Sequence, residues 1–139
     1  MLHLTANQEL QLVLNLTIAT LFGLLIGLER QKNGRIAGIR TFGSIALGTS
    51  LFATMAKLLT TTLPSVYIVA AIVVAAGIIA SALTVQNADD EEQDFSNIAA
   101  VWSTVAITCC ISFQLYVLGG AAATLLLVIF WFKDVYNKL

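Results

Sequence analysis

Charge is scarce in this chain of 139 residues, which carries seven Lys/Arg and eight Asp/Glu, 11% of its length, against a usual ~25%. So little polar material cannot cover a water-facing surface, which excludes an ordinary soluble enzyme. The net charge of −1 has no basic excess, so nucleic-acid binding lacks an electrostatic basis. Histidine occurs once, at His3 near the N-terminus, so neither a His-based catalytic site nor a His-containing metal cluster is expected. The two cysteines, Cys109 and Cys110, are adjacent within an apolar run; without CxxC spacing they read as small apolar packing residues. No Gly-rich phosphate loop and no nucleophile–base set is present, so catalysis is not expected.

What fills the chain instead is apolar: 58% of it is hydrophobic. Uncharged stretches span residues 10–28, 58–88 and 95–132. Apolar runs of 18 residues or more are the signature of helices that cross a bilayer. The expected class is therefore an all-α integral membrane protein, a single bundle of about five transmembrane helices over residues 1–139. The spans are placed at about 10–28, 41–59, 64–85, 98–112 and 116–132. The last two are separated near Ser112-Phe113-Gln114, because 35 continuous helical residues would reach ~52 Å, too long for a ~30 Å core. Thr5 and Gln8 suit a capping box at the first start, and the N-terminus lacks the basic region of a signal peptide, so the first run is expected to be retained.

Five spans place Arg30, Lys32, Arg35, Arg40, Lys133 and Lys138 on one side and Lys57 on the other. The positive-inside rule then puts the N-terminus outside and the C-terminus in the cytoplasm. A four-span reading would separate these lysines from the arginines.

Helices in lipid associate through small residues and interhelical hydrogen bonds. Asn15, Ala19, Gly23 and Gly27 recur every four residues and form one packing ridge. Gln11 and Glu29 share a neighbouring face, expected to point inward. In the second span Gly43, Ala46, Ser50, Ala53, Thr54 and Lys57 form a stripe, and in the fourth Asn97, Ala100, Thr104 and Thr108 align. Such faces suit either a tight bundle whose hydroxyls bond to their own backbone or a hydrophilic crevice for an ion or small solute. The run Asp89, Asp90, Glu91, Glu92 and Asp94 offers the oxygen ligands that hard cations prefer. A solvated acidic loop is the simpler account of it, and magnesium association is the most it suggests.

The segment after the first span is the most specific. It reads Gly23-Leu24-Leu25-Ile26-Gly27-Leu28-Glu29-Arg30-Gln31, then Ala37-Gly38-Ile39-Arg40-Thr41. This combination resembles the signature of the MgtC/SapB family of bacterial membrane proteins, over about residues 19–55. The resemblance implies the membrane domain alone, without the soluble C-terminal domain of many members, in a bacterial cytoplasmic (inner) membrane. It implies a role in magnesium homeostasis or in modulating a membrane partner, which in some members is the rotary ATP synthase. The same wording resembles one half of a larger two-part membrane protein, so a transporter or channel subunit is the alternative. Glu29, Arg30, Arg40, Thr41, Asn15, Asn97 and Thr104 are the candidate binding residues. Glu29 and Arg40 are expected to form an ion pair within about 4 Å, with Arg30 and Thr41 at the same mouth. The expected partners are the lipid bilayer and a second copy or another membrane protein.

Overall fold

The computed structural model describes residues 5–35, 37–59, 65–85 and 91–136. Among them are five α-helices and no strand: α1 (Ala6–Lys32), α2 (Ile39–Leu58), α3 (Ser65–Val85), α4 (Glu91–Ser112) and α5 (Tyr116–Tyr136). The first helix starts and ends about a turn outside the apolar run that predicts it. At its start the Thr5 N–H donates to Gln8 Oε1 at 3.0 Å, the return bond of a capping box. The fourth begins at Glu91, so part of the acidic run is helical backbone rather than loop. By length and composition α1 can cross a bilayer, and the apolar parts of α3, α4 and α5 are shorter: Val66–Ala82, Ser96–Ser112 and Tyr116–Phe132.

Two helices end alike. At the end of α1, Gly34 takes a φ of 69°, its N–H donates to Gln31 O, and the Arg35 N–H donates to Arg30 O. At the end of α4, Gln114 takes a φ of 68°, with N–H bonds from Gln114 to Ile111 O and from Leu115 to Cys110 O. Both are Schellman closures, which return orphan carbonyls to hydrogen bonding and reverse the chain. The second lies where the length argument requires a break. It uses a side-chain-bearing residue in the left-handed region, so Gln114→Gly should stabilise the protein by about 1 kcal/mol. A rise in the thermal midpoint of purified protein checks this, and an unchanged or lower midpoint contradicts it.

Among the described residues α4 alone contacts all four other helices, and the α1–α2 pair is the most extensive. The α1–α2 contact is close because its residues are small. A Cβ placed on Gly23 would lie 2.3 Å from Ala46 Cβ, and one on Gly27 would lie 2.7 Å from Ile39 Cα. Asn15, Ala19, Gly23 and Gly27 are all buried, so the ridge packs within the chain. Gln11, by contrast, is exposed, as are residues 5–10 before it: the first turns of α1 extend past the packed part of the bundle.

Polarity is distributed inside out. Asn15, Arg30, Thr49, Ser50, Asn97, Thr104, Thr108 and Ser112 are buried, whereas Leu21, Leu25, Phe52, Ile78, Val117 and Trp131 are exposed. A water-soluble domain places these residue classes the other way round.

Candidate functional site

The α4 stripe faces the interior, and most of its polar groups are satisfied locally. Thr104 Oγ1 donates to Ala100 O, Thr108 Oγ1 to Thr104 O and Ser112 Oγ to Thr108 O, each one turn back. Ser50 of α2 and Ser112 of α4 share a hydrogen bond of 2.8 Å across the helix interface. At the start of α5 the Tyr116 hydroxyl donates to the buried Asn15 Oδ1, which ties α5 to α1. These bonds match the tight-bundle alternative, in which hydroxyls turn back on their own helices.

The exception is Arg30. It stands three residues after Gly27, so the small-residue ridge of α1 carries straight on to it. Its side chain is 2% exposed. Nη2 donates to Asn97 Oδ1, and Nη1 lies 3.4 Å from both Ser96 O and Ser96 Oγ. Phe42 of α2 and Phe130 of α5 each place a ring centroid 5.4 Å from the guanidinium carbon. Among the described residues no carboxylate hydrogen-bonds to it, and the neighbouring Glu29 contributes only a through-space attraction. Amide, hydroxyl and carbonyl oxygens and two aromatic faces take that role, and the carbonyl end of α1 adds a favourable field. Among the described residues neither Nε nor Asn15 Nδ2 has a hydrogen-bond partner. One cation therefore joins four of the five helices, α1, α2, α4 and α5.

This corrects the expectation for the first loop. The inter-helix anchor is Arg30 with Asn97, not Arg40 with Glu29. Arg40 is exposed, Thr41 and Glu29 are half-buried, and Glu29 Oε1 accepts from Asn33 Nδ2 at 2.6 Å within the end of its own helix. The reason is helical phase: Glu29 is two residues from Gly27 and falls off the ridge, whereas Arg30 is three away and stays on it. Asn97 and Thr104 are buried as their stripe requires. Sequence reasoning did not single out Phe42, Phe130, Tyr116, Ser96 or Ser112. Ser112 was legible as one more step of four along the Thr104-Thr108 stripe.

Asp89 and Asp90 lie outside the described residues, as does His3, and of Glu91, Glu92 and Asp94 only helical backbone is described. No group of three metal-ligating side chains occurs among the described residues. Arg40 and Thr41 line a different feature, an open cleft of about 390 Å³ with Gln31, Arg35, Gly38 and Ile39.

Comparison with known sequences matches the MgtC family over residues 16–139, nearly the whole chain. The chain belongs to the MgtC family. As a member of that family of membrane proteins it has the composition and the inside-out polarity expected. Protein SrpB of Synechococcus elongatus is 45% identical over 51 residues. That match takes in 37% of this chain and 28% of SrpB, so it spans little more than a quarter of the relative's length. No solved structure matches the chain. In this MgtC-family chain the Arg30 centre joins the Glu-Arg motif after the first apolar run to the start of the fourth helix.

Proposed function

We propose that this MgtC-family chain is a five-span protein of the bacterial cytoplasmic membrane that modulates a membrane partner under magnesium limitation. In this reading it is neither an enzyme nor a conduit. The Lys/Arg distribution supports an outside N-terminus and a cytoplasmic C-terminus. Apolar side chains on the outside suit lipid, which rewards their exposure and penalises unpaired polar groups. The observation that carries the reading is that the buried hydroxyls of the bundle are satisfied within it. The buried hydroxyls of α4 bond to their own helix or to Ser50, which leaves lipid-facing and loop surfaces to meet a partner.

The test pairs a cellular and a reconstituted measurement. A strain lacking the gene should grow poorly at low magnesium and recover with the wild-type chain. It should not recover with Arg30→Met at equal membrane abundance. Proteoliposomes of the purified chain should take up magnesium no faster than empty vesicles. Protein-dependent uptake that Arg30→Met abolishes would favour the transporter alternative and overturn the reading. Growth independent of the gene at low magnesium would remove the magnesium role, and tags placing both termini on one side would remove the five-span arrangement.

A further inference from the structure

The open cleft at the α1–α2 turn has no part in the Arg30 centre. Its lining residues include two arginines, Arg35 and Arg40, with Thr41 and Gln31, and among the described residues no carboxylate. Arg35 is half-buried and Arg40 exposed. The backbone fixes both: the Schellman closure holds Arg35 through its N–H bond to Arg30 O at 3.1 Å, and Arg40 is the second residue of α2.

Three features of this cleft are unfavourable for its own positive charge. Arg35 and Arg40 place two positive charges on one small cleft, which an anion there would offset. An arginine in the first turn of a helix opposes the positive end of the helix dipole. The N-cap is Gly38, which has no side chain to bond the first amides. Gln31 Oε1 accepts from the Ile39 N–H at 3.3 Å, and the N–H groups of Arg40 and Thr41 have no acceptor inside α2. A tetrahedral oxyanion reverses all three terms at once. Its several oxygens can take the forked donors of two arginines, the Thr41 hydroxyl and helix amides together, which a single carboxylate cannot.

We propose that the cleft between the end of α1 and the start of α2 is a binding site for a phosphate group. Arg35 and Arg40 clamp the oxyanion, and Thr41 and the first amides of α2 orient it. The same chemistry is offered by the headgroup of a phosphomonoester lipid and by free phosphate, and the cleft's position at the end of an apolar helix opens it to either. The site is independent of which partner the protein modulates.

The experiment uses the full chain with Arg35→Gln, Arg40→Gln and the double variant. Lys32→Gln serves as control, since it removes an exposed charge from the same turn but not from the cleft. One arm titrates inorganic phosphate against detergent-solubilised protein at constant ionic strength, with chloride as comparison. The other measures retention of phosphatidic acid over phosphatidylcholine by native mass spectrometry, after extraction from mixed nanodiscs. Each single variant should weaken binding about tenfold, and Lys32→Gln should leave it within about twofold. Loss in the phosphate arm alone identifies a free phosphoanion, and loss in the lipid arm identifies a headgroup. If the double variant does not fold, Arg40→Lys, which keeps the charge but loses the fork, should still weaken binding. No saturable binding in either arm, or an equal loss in Lys32→Gln, overturns the proposal.

Discussion

Asn97→Leu should destabilise the protein by about 3 kcal/mol, more than removal of the arginine it holds. The substitution keeps the volume but takes away the oxygen that accepts from Arg30 Nη2. The guanidinium is then left at 2% exposure with two long contacts to Ser96 at 3.4 Å and two ring faces. A buried charge stripped of its best partner is among the most damaging single changes. Arg30→Met removes the charge itself and leaves a flexible apolar chain between Phe42 and Phe130. It should lose about 2 kcal/mol, chiefly from unpaired Asn97 and Ser96 groups. The double variant, with neither charge nor orphaned amide, should lose less than the two singles added together. Thermal or mixed-micelle unfolding of the four proteins closes the cycle. Additive losses would mean that the contact contributes nothing, and the Arg30 centre would not be the anchor described here.

Gly23→Ala should reverse the usual sign of a glycine-to-alanine change within a helix. At an open helical position the exchange stabilises by up to about 1 kcal/mol, because alanine has less backbone freedom to lose. Gly48, with nothing within 4 Å of its would-be Cβ, should behave that way. At Gly23 the added methyl would meet Ala46 Cβ at 2.3 Å and the Phe42 carbonyl oxygen at 2.8 Å. The first obstacle is a side chain but the second is backbone, so α1 and α2 must separate. Overpacking of this kind costs about 1–3 kcal/mol, which outweighs the propensity gain, and Gly23→Leu should fail to dock α1 on α2 at all. Ala46→Gly should restore only part of the Gly23→Ala loss, since the Phe42 carbonyl remains. Matching midpoint rises for Gly23→Ala and Gly48→Ala would show that the two helices are not held at this distance.

The sequence by itself determined the all-helical class, the number of helices and the inward faces of three of them. Those properties depend on local quantities: apolar run length, the 3.6-residue period, and the limit on how far one helix can extend. The break at Phe113-Gln114 is the clearest case, since 35 helical residues exceed any apolar layer. Tertiary structure decided which of two neighbouring charges enters the interior. Glu29 and Arg30 differ by one position, about 100° of helix rotation. Pairing Glu29 with an arginine across the turn is the natural expectation from charge alone. The fold instead buries Arg30, because the ridge that seats α1 on α2 continues to it and because Asn97, 67 residues away, supplies an acceptor. Phe42 and Phe130 complete the cage from two further helices. Periodicity gives a residue's direction but not what stands opposite, and a charge can stay buried only where several distant groups converge on it.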